Sequence, residues 1–397
     1  MAQRQDPPPY GDMNRINLDY SSGTPLLLEV QQVMAAVEEG NPSSIDQAGQ
    51  RARQRLEQAR KQVALLLNAK PTEISFTSCG TESNNWALRG LFAANKRKGN
   101  HVVISAIEHP SVSLVARRLE LDGLAKVTIL PVDHEGMMSA DTLRKLLTPE
   151  TVLVSMMLAN GEVGTIEPIK ELAAIVHEQG ALFHTDAVAA VGSIAVDVKA
   201  LGVDALSLAA NPFGGPVGSG ALFVRDGVRI LPLLEGGGQE TGGRSGTEAL
   251  SAIVGLAAAA GVAKRDLRER SEQVSQLRDR LRDGLKQRVE HLRINGSWTS
   301  RLPHNLHVCV DGVSSESLVL GLDAEGIAAG LGSACNSKAM RPSHVLKAMG
   351  LSDEEAKGAL VLTLGVSTTD EEVDRALEVI PSVVQKLRRV TSLTARS

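Results

Sequence analysis

The run Ala205-Leu206-Ser207-Leu208-Ala209-Ala210-Asn211-Pro212-Phe213-Gly214-Gly215-Pro216-Val217-Gly218-Ser219-Gly220 reads as a buried strand opening into a glycine- and proline-rich turn. Small apolar residues leading into backbone that glycine tolerates best are how an α/β protein brings its main chain close to a ligand. Such a turn ordinarily presents a side chain able to do chemistry. This one presents Asn211 and Pro212, neither a nucleophile nor a base, and no lysine occurs between Lys199 and Lys264.

On both sides of this run and within it, strand-like apolar runs are expected at 73–77, 101–106, 126–132, 151–158, 181–186, 205–210 and 221–225. Helical segments at 81–96, 110–121, 142–147 and 169–179 separate most of them. Repeated strand-helix-strand units of this kind predict a mostly parallel sheet with helices on both faces, although each apolar run taken singly reads simply as core. Upstream lie a strand and loop at 17–25, a helix at 27–39 broken by Gly40-Asn41-Pro42-Ser43-Ser44, and an amphipathic helix at 47–67. Downstream, a long helix from 249 to about 290 turns from alanine-rich to charged, and its charged half reads as a solvated face. Beyond it, strands (292–295, 305–310, 360–364) and helices (315–322, 343–349, 370–387) follow in α+β order. The expected division is an arm over 1–16, a large α/β domain over 17–262 and a small α+β domain over 263–397.

Composition agrees with this class. Of 397 residues, 43% are hydrophobic and 22% charged, and the net charge of -4 gives nucleic acid no foothold. Aromatic residues make up only 2%, so Ala, Val, Leu and Ile must build the core, which suits parallel strands covered on both faces. Cys79, Cys309 and Cys335 have no regular spacing, which argues against a disulfide framework or metal cluster and for a reducing compartment. The polar, proline-rich start is neither a signal peptide nor a membrane anchor, so a cytoplasmic location is the default expectation.

Several loops carry candidate chemistry. Thr77-Ser78-Cys79-Gly80-Thr81-Glu82-Ser83-Asn84-Asn85 follows a strand and opens a helix, as a phosphate cup does, and equally as an N-cap at Thr81 does. His109 and Asp186 stand at strand ends where ligands collect. A buried Asp186 needs a partner such as a protonated heterocyclic nitrogen or a helix cap. Taken alone, His109 also reads as a hydrogen-bonded structural histidine. The loop from Gly236 to Thr247 is suited to wrapping an anion, or is a linker. Cys335 lies near Lys338, Arg341 and His344 in sequence, and positive neighbours lower a thiol pKa. Cys309, inside an apolar run, fits an inert buried thiol better.

Taken in order, these motifs resemble the group I cysteine desulfurases (NifS/IscS type) of the class V aminotransferase fold, which use pyridoxal phosphate (PLP). The matching stretches are Gly40-Asn41-Pro42-Ser43-Ser44, Phe76-Thr77-Ser78 with Gly80-Thr81-Glu82-Ser83-Asn84-Asn85, Ala106-Ile107-Glu108-His109-Pro110, Phe183-His184-Thr185-Asp186-Ala187, Arg244-Ser245-Gly246-Thr247 and Gly332-Ser333-Ala334-Cys335. They span about 17 to 387. The resemblance implies the PLP-dependent transferase fold type I. It implies phosphate contacts at Gly80 and Thr81, with Thr247 reaching in from the second subunit of a homodimer. It also implies His109 stacked on the pyridine ring, Asp186 on the ring nitrogen, Asn160 beside the ring substituents, and Cys335 as the thiol that becomes a persulfide.

The departures cluster in the same pocket. Pro212 stands where the family has the lysine that anchors PLP as a Schiff base, and Asn211 and Ala209 replace a histidine and a serine that help bind phosphate. Ala189 replaces the glutamine at the cofactor phenolate oxygen, and Val361 the arginine for the substrate carboxylate. The expectation is a desulfurase-like protein without desulfurase activity and without covalently bound cofactor, relaying persulfide sulfur through Cys335 or serving as a scaffold for sulfur donor or acceptor proteins. Two alternatives are non-covalent binding of PLP or a related phosphate ester with a changed reaction, and a regulatory dimer with an active paralogue.

Overall fold

The computed structural model describes residues 15–38, 40–332 and 342–394. Its strands, in chain order, are β1 (Ile16–Leu18), β2 (Ile74–Thr77), β3 (His101–Ser105), β4 (Lys126–Leu130), β5 (Thr151–Ser155), β6 (Leu182–Asp186), β7 (Ala205–Ala209), β8 (Gly220–Val224), β9 (Leu292–Asn295), β10 (Asn305–Val310), β11 (Ile327–Ala329) and β12 (Ala359–Thr363). Its helices are α1 (Leu28–Ala35), α2 (Gln47–Leu67), α3 (Gly80–Asn95), α4 (Pro110–Leu121), α5 (Ala140–Leu146), α6 (Ile169–Glu178), α7 (Val198–Leu201), α8 (Leu250–Arg288), α9 (Ser315–Ala324), α10 (His344–Ala348), α11 (Asp353–Ala356) and α12 (Asp370–Thr394).

Successive residues of the apolar strands enter different cores, as the two-residue pleat requires. Val102 and Ile104 of β3 pack with Trp86 and Leu91 of α3, while Val103 joins Val154, Phe183 and Leu206 against the opposite helices. Both faces are therefore covered, which is why these strands read as unbroken hydrophobic runs. The sheet order is β2-β8-β7-β6-β5-β3-β4. Only β8 runs against the others, pairing antiparallel with both β2 and β7. The carboxyl ends of β2, β3, β5, β6 and β7 thus emerge along one edge, and the loops that follow them carry the candidate residues.

A second core gathers β9, β10 and β12, which form an antiparallel sheet in the order β12-β10-β9, with α9 and α12. Helix α8 serves both cores: its residues through Ala263 pack in the first, and those from Val274 onward in the second. The expected start of the large domain at residue 17 differs from the packing of β1. Ile16, Asn17 and Leu18 pair in parallel with Ile327, Ala328 and Ala329, and Ile16 and Leu18 are buried in the second core. The apolar Ile16 and Leu18 flank a polar Asn17, so one face of this short strand must find apolar cover; the second core supplies it, while β11 pairs its backbone. Among the described residues, no helix is long and apolar enough to cross a membrane.

Candidate functional site

A cavity of about 760 Å³ opens at the carboxyl edge of the large sheet. Gly80, Thr81, His109, Asn160, Asp186, Ala189, Pro212 and Val361 all line it, so eight positions singled out from the sequence meet in one place. Ala209 and Asn211, half-buried at the end of β7 and in the turn after it, do not line it. Thr247 is exposed just before α8 and stands outside the cavity of its own chain. Cys335 lies outside the described residues.

Asp186 ends β6 with its side chain buried. Its Oδ1 accepts the Val188 N–H at 3.0 Å and its Oδ2 accepts the Asn84 amide at 2.6 Å. Asp186 thus caps a turn rather than the helix that its sequence context also allowed, and it lines the cavity. Burial pushes its pKa above the usual carboxylate range, against the pull of the Val188 and Asn84 hydrogen bonds and of His109. Asn84 also donates to Ser111 Oγ at 2.8 Å, and Ser111 Oγ lies 2.7 Å from His109 Nδ1. His109 caps α4, its Nδ1 accepting the Ser111 N–H at 3.1 Å. The chain Asp186–Asn84–Ser111–His109 thus fixes an acid and a histidine in one wall.

The cup at α3 is built differently from an N-cap at Thr81. The helix begins at Gly80, Thr81 is already inside it, and the Cys79 side chain makes no capping bond. Instead Glu82 reaches back, its Oε2 accepting the Ser78 N–H at 2.8 Å and the Ser78 hydroxyl as well. The first-turn N–H groups of Gly80 and Thr81 have no carbonyl partner inside the helix, as at any helix start. Gly80 is required here because a Cβ would stand 2.5 Å from Val188 Cγ2, and this close approach joins the cup to the Asp186 turn. The loop ending at Thr247 is more than a linker. Arg60 donates to both Glu240 oxygens at 2.6 and 2.9 Å, Phe76 N–H adds a third bond, and Arg244 pairs with Glu82.

Asn160 is spent on its own wall. Its Oδ1 accepts from Glu162 and Val163 N–H, and its amide nitrogen donates to Ile107 O and contacts Met157 Sδ. Pro212 sits in a one-turn helix over Asn211–Phe213, its carbonyl accepting from Thr24 Oγ1 at 3.2 Å. The residues present offer a heterocyclic phosphate ester a buried acid for its ring nitrogen and a helix N-terminus for its anionic end. They do not fit its covalent attachment, because among the described residues lining the cavity there is no lysine.

Sequence reading left three buried acids without a role. Burial pushes Glu108 and Glu167 up to about 8 and Glu162 up to about 7. Glu108 Oε1 accepts from Ser105 Oγ and Met157 N–H, and its backbone carbonyl accepts from His344 Nε2 at 3.0 Å. The available signal was an apolar neighbour for each, Ile107, Val163 and Ile166, but a lone glutamate in a loop ordinarily reads as exposed.

A class-V aminotransferase family model matches residues 16–376. The chain is 46% identical over 384 residues to the cysteine desulfurase IscS of Methanosarcina thermophila, covering 96% of this chain and 95% of that one. It is 43% identical over 387 residues to the cysteine desulfurase IscS of Clostridium botulinum (strain Kyoto / Type A2), covering 96% and 97%. Among solved structures, a NifS-like protein superposes with a TM-score of 0.86 at 34% identity, over 96% of this chain and all of the other.

Proposed function

The chain belongs to the class-V aminotransferase family, a cysteine desulfurase-like protein with the PLP-dependent transferase fold type I, and we propose that it has lost the desulfurase reaction and acts as a persulfide carrier or docking scaffold through Cys335. The observation that carries this reading is Pro212 in the cavity wall. Proline has no side-chain nitrogen, so it neither anchors a cofactor aldehyde nor moves a proton at a substrate carbon. Removing one acid/base group alone slows a reaction by about 10²–10⁴. Val361, 2% exposed, adds an apolar wall where a substrate carboxylate needs a cation.

In the carrier reaction, the Cys335 thiolate attacks the outer sulfur of a donor persulfide. The donor S–S bond breaks, a new S–S bond forms on Cys335, and the donor leaves as its thiolate, with no net oxidation. Lys338, Arg341 and His344 are near Cys335 in sequence, and positive neighbours lower a thiol pKa. A cytoplasmic homodimer, with Thr247 turned toward the partner, is the form in which we expect it to work.

Two measurements test this. Sulfide release from cysteine with added PLP should stay at background, and turnover would overturn the loss of activity. After incubation with glutathione persulfide, mass spectrometry should find one added sulfur atom on Cys335 and none in Cys335→Ser. An unmodified Cys335 would leave only the scaffold role.

Asp186 supports a second reading, non-covalent retention of PLP or a related phosphate ester, because a buried acid facing a cavity suits a protonated ring nitrogen. An absorbance band in the near-ultraviolet or visible that survives desalting would support it, and a colourless protein with no retained phosphate ester would end it.

A further inference from the structure

Arg270 is the one arginine among the described residues that line the cavity, and no lysine accompanies it there. It belongs to the charged half of α8, yet only 23% of its side chain is exposed. Its ion-pair partner, Asp266 one turn earlier, stands 3.5 Å away. Asp266 is already engaged, because Arg265 donates to its two oxygens at 2.8 and 3.0 Å. A guanidinium carries five N–H donors in a planar fork, and one long contact to a shared carboxylate leaves most of them for the cavity.

The chain around Arg270 fixes where it stands. Ser271 donates to the Ser193 carbonyl at 2.9 Å, and the adjoining Gly192 lies against Phe213, next to Pro212. The arginine therefore enters on the side of the cavity bounded by the Pro212 turn. Ile107, Met157 and Val361 give the same cavity apolar wall.

We infer that the cavity binds a small organic carboxylate with an apolar or aromatic body, and that Arg270 receives the carboxylate. An apolar wall with one underused guanidinium matches such a ligand: the body is desolvated against the wall, and the carboxylate meets a fork of matching geometry. The inference does not depend on the role of Cys335.

Calorimetric titration of the full chain with benzoate tests it, with inorganic phosphate as the second probe. Benzoate should bind saturably and more tightly than phosphate. Arg270→Gln should weaken benzoate by about tenfold or more, the effect of losing a charge-assisted pair, and Arg270→Lys should retain part of the affinity, having the charge without the fork. Arg268→Gln, at a residue 91% exposed and paired with Glu272, should bind as the unmodified protein does. Equal affinity in Arg270→Gln, absence of saturable benzoate binding, or binding of phosphate alone would each overturn the inference.

Discussion

Asn84 and Asp186 are joined by a buried hydrogen bond of 2.6 Å, amide nitrogen to carboxylate oxygen, which ties the start of the second turn of α3 to the end of β6. The same amide holds Ser111, so one side chain sets the distance between Asp186 and the histidine that caps α4. Asn84→Ala leaves Asp186 buried with one partner fewer and should cost about 1–3 kcal/mol of stability, the penalty for a buried polar group left short of a bond. Urea unfolding measures it. Asn84→Asp should cost more, since it sets a second acid against a carboxyl that burial already pushes upward, and equal stability of the two variants would contradict the argument.

The buried glutamates give the fold a pH dependence of known sign. Glu167 is raised by burial, and further by Glu108, to about 8 from an ordinary value of 4.5. The native state therefore holds this proton where the unfolded chain has released it. The stabilisation is complete below pH 4.5 and is lost as pH rises from there through about 8. Glu167→Gln keeps an oxygen for the Met138 N–H that Glu167 Oε2 now accepts and removes the titration. Its melting temperature should match that of the unmodified protein near pH 4.5 and exceed it above about pH 8. Identical melting curves across that range would sink the argument.

Two glycines with the same backbone separate strain from collision. Gly192 has φ +82°, and a Cβ there would lie 2.2 Å from Phe213 Cβ, whereas Gly180, at φ +72°, has nothing within 4 Å. Gly180→Ala should cost only the left-handed backbone penalty, about 1–2 kcal/mol. Gly192→Ala should cost a further 1–3 kcal/mol or so for overpacking, because Phe213 must move and carry the Pro212 turn with it. Thermal melts of the two variants check the difference.

Much of this was legible in the chain because the signals were local. The run into Pro212, the alternation of apolar runs and helices, and the residues at strand ends all follow from neighbours in sequence. What was hidden depends on distant partners. The short strand at 17 was readable but its partner was not: β11 has three residues, too few for a pattern, and it pairs Ile327 with Ile16, 311 positions earlier in the chain. The antiparallel sense of β8 shows nowhere in its composition. Arg270 sits in a run of alternating charges that reads as solvated, and only the fold places it in a cavity wall. Glu108, Glu162 and Glu167 look like surface residues until the loops around them close.

A lysine at position 212 is not enough by itself to restore the reaction. If the lysine alone were missing, Pro212→Lys with added PLP would restore sulfide release from cysteine. The cavity argues otherwise. Val361 is 2% exposed in β12 and lines the same cavity, so a substrate carboxylate meets an apolar wall where the resemblance places an arginine. Ala189 in the same lining offers only a methyl group, and Ala209 and Asn211, outside that lining, carry neither the hydroxyl nor the imidazole that the resemblance implies. Pro212→Lys alone should therefore remain at background. Combining it with Ala209→Ser, Asn211→His, Ala189→Gln and Val361→Arg should raise turnover by about 10² or more over the single variant, the scale of restoring a hydrogen bond to a charged group at about 1.5–3 kcal/mol, provided circular dichroism shows both folded. Full activity in the single variant would mean that the other four changes are immaterial, and the cavity would then be one substitution away from an enzyme.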